Sequence, residues 1–194
     1  AARMADLLEG ALSEYQAMGF RDPWWPAGAD SEPVNLVMAD GGGAHGDEGV
    51  RLGPGFMGVY DHTANLGDAS SFIIPVHEYF HAVQNAYGYL KKDPSGAWMI
   101  EGQARAIQDL VCAPVDGDNC VNVDDDPSGT ANYVGQVNNY LGNPNRPVNE
   151  ISYTAALFWT YLCQRYGAER TEAHLGLDFI AEFLHESAQN LDRD

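Results

Sequence analysis

The chain has 194 residues, 45% hydrophobic and 11% aromatic, which suits one compact domain with a real core and excludes a chain disordered by composition. Its 28 acidic residues stand against 10 basic ones, a formal net charge of −18, and such a surface repels phosphate backbones and anionic lipid, so nucleic acid is not an expected partner. No apolar run approaches the ~20 residues of a membrane-spanning helix, so membrane insertion is not expected.

In chain order, Met4 to Met18 places Leu7, Leu8, Ala11, Leu12 and Tyr15 at helical spacing and predicts an amphipathic helix. Three prolines in FRDPWWPAGADSEP break regular structure. The run Val34 to Met38 fits a strand, ADGGGAHGDEG a surface loop, and Gly55 to His62 a second strand. Pro75 belongs in the first turn of any helix that contains it, which predicts a helix starting near Ser71 to Ile74 and running to about Tyr87, with Gly88 as its cap. Trp98 to Val111 carries Ile100, Ala104, Ile107 and Val111 on one stripe. Ile151 to Tyr166 forms a further helix, closed by a left-handed Gly167, and Thr171 to Ser187 the last. These elements predict a single α+β domain over 1–194, with a β-containing part over about 1–70 and a helical part over about 71–194.

The residues with chemistry are His77-Glu78-Tyr79-Phe80-His81. Four residues apart on a helix, the two imidazoles project from one face and can reach a single Zn²⁺, with Glu78 at the edge of that face as a base rather than a ligand. Nineteen residues separate His81 from Glu101, in the first turn of the next predicted helix. A carboxylate there completes a His₂Glu set that leaves a fourth position for water. Phe80, Val83 and Tyr87 occupy the opposite side at core spacing.

HEYFHAVQ, then WMIEGQARA, then YTAALFWTYLCQRYG resemble the gluzincin class of zincin metallopeptidases, and are closer to the aminopeptidase-like branch with W-x-x-E-G-x-A than to thermolysin. The resemblance spans about Val76 to Gly167. It implies a zincin-like fold, a peptide or protein as substrate, His77, His81 and Glu101 as metal ligands, Glu78 as general base on a zinc-bound water, and Tyr153 as oxyanion donor. In the wider fold an edge strand aligns the substrate, and Gly55 to Tyr60 is the candidate here. Where thermolysin-like enzymes place an Asp four residues after the glutamate ligand, this chain has Arg105. Asp109 is then a weak candidate to orient a histidine. The alternatives are a zincin-like binding domain that keeps its metal without activity, and a zinc hydrolase acting on a non-peptide bond.

Cys112 and Cys120 bracket CAPVDGDNC, a loop able to bring both sulfurs together, against the alternative of two free thiols; Cys163 sits in an apolar stretch as a buried thiol. A disulfide and the acidic coat together point to a secreted protein, although the start AARMADLLEG lacks the layout of a signal peptide. Asp116, Asp118, Asn122, Asp124, Asp125 and Asp126 offer oxygen ligands for Ca²⁺, without EF-hand spacing and against the alternative of a solvated acidic loop. His45, His62, His174 and His185 are expected to be surface or capping histidines. No G-x-S-x-G elbow is present to support a serine hydrolase.

Overall fold

The computed structural model describes residues 2–23, 35–39, 49–53, 56–60, 70–88, 96–115, 133–168 and 175–191. Helix α1 (Ala2–Ala17) buries Leu7, Leu8, Ala11 and Tyr15, and Met18 extends that stripe just past its end. Gly19 takes a left-handed φ of 86°, and the Phe20 N–H reaches back to the Tyr15 carbonyl at 3.0 Å. This Schellman stop favours a residue without a Cβ, and it turns Phe20 back against Tyr15 and Phe80, with ring centroids 6.0 and 5.3 Å away.

Strands β1 (Asn35–Ala39), β2 (Gly49–Gly53) and β3 (Phe56–Tyr60) form a sheet in the order β1-β3-β2, with β3 parallel to β1 and antiparallel to β2. The candidate substrate-aligning strand, Gly55 to Tyr60, is therefore not an edge: β3 has a partner on both sides. β2 was not expected, since its glycines and the loop before it conceal a strand. Among the described residues β2 pairs only with β3, and it is the edge strand beside the next helix.

That helix, α2 (Ser70–Asn85), carries the H-E-x-x-H string. Pro75 lies at its sixth position, past the first turn, so the helix runs through one missing N–H to the Ser71 carbonyl. Gly88 closes the following turn at φ 81°, as expected. Helix α3 (Ala97–Val115) packs against α2 and buries Ala104, Ile107 and Val111. Helix α4 (Tyr133–Gly142) was not anticipated.

The segment predicted as one helix from Ile151 is divided. Ile151 and Ser152 are non-helical, Tyr153–Ala155 is a 3₁₀ turn, and helix α5 covers Ala156–Tyr166. Gly167 is extended, with φ −61° and ψ 144°, so it is not a left-handed cap. It is glycine for a different reason: a Cβ there would overlap the Cα of Gly176, and one on Gly176 would overlap the Cys163 carbonyl. Helix α6 (Asp178–Leu191) starts after the Leu175-Gly176 turn and buries Ile180, Ala181, Leu184 and Ala188.

The described protein is mainly helical rather than α+β. Among the described residues six α-helices stand against three five-residue strands. Helix faces pack together in the core described. Trp159, 1% exposed at its centre, is the largest single contribution, and its truncation to Ala would cost about 3–5 kcal/mol. Cys112 is disulfide-bonded and Cys163 is free and buried; Cys120, the partner expected for Cys112, lies outside the described residues. No helix among the described residues is long and apolar enough to cross a membrane.

Candidate metal centre

The site forms where α2 meets the first turn of α3. Tyr79, Phe80 and Val83 pin the far side of α2, which fixes the rotation of the helix and turns His77 and His81 toward α3. Their rings meet edge to face, with centroids 4.8 Å apart. His77, Glu78 and His81 each offer a donor atom, all within 4.8 Å of one another, and this group could hold a metal ion. Glu101 comes to the same place from α3: its Oε2 lies 3.1 Å from Nε2 of His77 and 3.5 Å from Nε2 of His81.

Two joints bring Glu101 there. A Cβ on Gly102 would lie 2.8 Å from the Ala155 Cβ and 3.0 Å from Trp159 Cδ1, so only glycine lets α3 approach α5 this closely. Trp98 stacks on Trp159 with centroids 5.6 Å apart, and the Trp159 indole N–H donates to the Trp98 carbonyl at 2.9 Å. The W-x-x-E-G spacing thus has a packing cause: Trp98 and Gly102 dock the helix on either side of the carboxylate.

The partners of the histidines are glutamines, which the sequence analysis missed. Gln108 Oε1 lies 2.8 Å from His77 Nδ1 and Gln84 Oε1 lies 2.8 Å from His81 Nδ1. An amide oxygen only accepts, so each Nδ1 carries the proton and each Nε2 is left facing Glu101. The signal was present: Gln84 stands three residues after His81 and Gln108 seven after Glu101, both on the matching helix face. Arg105, which stands where thermolysin-like enzymes place an Asp, has its guanidinium 4.9 Å from the centroid of the Tyr153 ring. The side chain of Asp109 lies outside the described residues.

Electrostatics follow from burial and this convergence. Burial pushes His77 down to about 4, only partly offset by its hydrogen bond to Glu101. Burial lowers His81 too, but its hydrogen bond to Glu101 and the charges of Glu101 and Glu78 leave it above the usual histidine value. Burial alone would raise Glu101, yet its hydrogen bonds to both imidazoles hold its carboxyl well below the carboxylate range. A neutral His77 protonated on Nδ1 presents a lone pair to a carboxylate oxygen 3.1 Å away. A cation between them resolves that opposition. The chemistry of these side chains suits a metal ion: imidazole nitrogens and carboxylate oxygens converge on one place.

Tyr153, expected at the site, is there. Its ring lies 5.8 Å from that of His77, and the charge of Glu101 acts on its hydroxyl. Burial, then the charge of Glu101, pushes its hydroxyl up to about 12. Glu78 is half-buried at the rim.

His185 is placed elsewhere, where its Nε2–H donates to the Gly19 carbonyl at 3.0 Å and ties α6 to the end of α1. The calcium candidates Asp116, Asp118, Asn122, Asp124, Asp125 and Asp126, and the histidines His45, His62 and His174, lie outside the described residues. Comparison with protein-family profiles, curated proteins and solved structures finds no match to the chain.

Proposed function

We propose that the chain is a zinc-dependent peptidase, with His77, His81 and Glu101 as ligands, Glu78 as general base and Tyr153 as oxyanion donor. The observation that carries the proposal is the meeting of both Nε2 atoms with one carboxylate oxygen, at 3.1 and 3.5 Å, while both Nδ1 atoms are engaged elsewhere. Zinc bound there supplies a Lewis acid that brings the pKa of a water down toward ~7.

The remaining steps belong to side chains. Glu78, with a carboxylate oxygen within 4.8 Å of the imidazole nitrogens, takes the proton of the attacking water before passing it to the leaving amine. Tyr153, with its hydroxyl pushed up to about 12, stays protonated at neutral pH and donates to the carbonyl oxygen as negative charge grows there. Arg105, over the face of the Tyr153 ring, holds that ring in place with about 0.5–2 kcal/mol of cation–π attraction. The outer edge of β2, beside α2, offers backbone groups to an extended peptide. The disulfide at Cys112 favours an extracellular site of action.

The test is metal stoichiometry followed by a peptide-library screen with wild type and Glu78→Gln. Zinc near one equivalent in both proteins, with turnover lowered by about 10²–10⁴-fold in the variant, is expected. Undiminished turnover in Glu78→Gln would remove the base, and bound metal with no cleavage of any peptide would favour a binding domain.

A further inference from the structure

Gln84 is 1% exposed, and at that depth each unpaired amide atom costs about 1–3 kcal/mol. All three of its hydrogen-bonding contacts are made to parts of the site. Its Nε2 donates to the Ile100 carbonyl at 3.0 Å and to Gln103 Oε1 at 2.9 Å, and its Oε1 accepts from His81 Nδ1 at 2.8 Å. A backbone carbonyl can only accept, so the bond to Ile100 fixes which way the amide points, independently of the imidazole. His81 must then carry its proton on Nδ1 and offer Nε2 to Glu101.

Ile100 immediately precedes Glu101. The same amide that selects the nitrogen of His81 therefore also sets how far along α2 the first turn of α3 sits. We infer that Gln84 is a positioning residue that acts on two ligands at once, fixing the tautomer of His81 and locking α3 in register so that Glu101 meets both imidazoles. This rests on the metal-centre reading above. It explains why an amide stands where a carboxylate would hold an imidazole more strongly: a carboxylate accepts from Nδ1 but cannot donate to Ile100 and Gln103, and would set like charge against two carbonyl oxygens.

The two parts of the inference separate experimentally. Zinc affinity is measured by competition with a chromophoric chelator for wild type, Gln84→Glu and Gln84→Met, and the tautomer of His81 by ¹⁵N NMR of the metal-free proteins at alkaline pH. Gln84→Glu keeps an acceptor for His81 and loses the register bonds, so it is expected to bind zinc about 10–100-fold more weakly, with Nδ1–H retained. Gln84→Met is expected to lose affinity and the Nδ1–H preference together.

Zinc bound by Gln84→Glu as tightly as by wild type would overturn the register role, and an unchanged tautomer in Gln84→Met would overturn the other. Should the Gln84 variants not fold, Gln103→Met removes one acceptor of the lock and leaves His81 its partner. A several-fold weaker zinc affinity is then expected, and wild-type affinity would overturn the inference. A wild type that takes up no zinc defeats the metal-centre reading itself, while the tautomer measurement still decides the part played at His81.

Discussion

His185 and the His77–His81 pair share a ring geometry but differ in burial and in hydrogen-bond partners: the pair is buried and His185 is half-buried. The His185 ring meets Tyr87 at 86° with centroids 5.0 Å apart, much as His77 meets His81 at 86° and 4.8 Å. Both settings join distant parts of the chain. The difference lies in which nitrogen the scaffold uses. At His185 the scaffold takes Nε2–H, which donates to the neutral Gly19 carbonyl, and the Tyr87 hydroxyl lies 3.3 Å from the same nitrogen. At the pair it takes Nδ1 through Gln84 and Gln108, and both Nε2 atoms are left facing one carboxylate. The partner taken by one ring nitrogen decides which nitrogen is left to face another group.

The contrast predicts effects of decreasing size. Glu101→Gln removes the charge on which both imidazoles converge; zinc affinity should fall by more than the 10–100-fold typical of an outer partner, with turnover lost alongside it. Retention of full metal occupancy by Glu101→Gln, measured by elemental analysis after dialysis, would break the comparison and hand the third-ligand role to Glu78. Gly102→Ala forces α3 away from α5 and should lower stability by about 1–3 kcal/mol, seen in thermal unfolding, with weaker zinc binding as well. An unchanged melting temperature would show that the joint has slack.

Acid and base should act on the pair in opposite senses. His77 is held down at about 4 against an ordinary 6.5, so the unfolded chain protonates first and metal-free stability falls as pH drops through that window. His81 is raised, so its contribution is complete below 6.5 and fades as pH climbs toward its folded value. Melting of metal-stripped protein should therefore peak near pH 6.5, and zinc should flatten the peak on its alkaline side by demanding neutral ligands. A steady rise through that pH would sink this assignment of signs. Smallest of all, His185→Leu should cost about 0.5–1.5 kcal/mol and leave zinc affinity at the wild-type value. Weaker zinc binding there would mean that the two histidine settings are coupled.

The group that could hold a metal was legible from the sequence because its residues are close in the chain. His77 and His81 share a helix face at fixed spacing, and Trp98 and Gly102 flank Glu101 in a short string. The glutamines were equally regular, at three and seven residues from a ligand, but an amide carries no charge to draw notice. What failed was long-range. The role of Gly167 depends on meeting Gly176, nine residues on in the chain, which no cap rule anticipates. The position of β3 in the middle of its sheet depends on β2, whose glycines read as loop. Helix α4 was passed over because Gly135, Asn138 and Asn139 weaken its local preference, and only packing beside α5 and the Tyr153 turn recovers it. The α+β expectation gave the β segments a larger share of the architecture than three five-residue strands hold among the described residues.

The docking of Trp98 and Gly102 on Trp159 has a consequence for the order in which the molecule becomes competent. All three proposed ligands are synthesised by residue 101, yet the surface that seats their second helix arrives more than fifty residues later, with Ala155 and Trp159. A nascent chain halted between those points would hold the imidazoles without a firmly placed carboxylate, so metal capture should come late, as the last helices settle rather than as the first ones form.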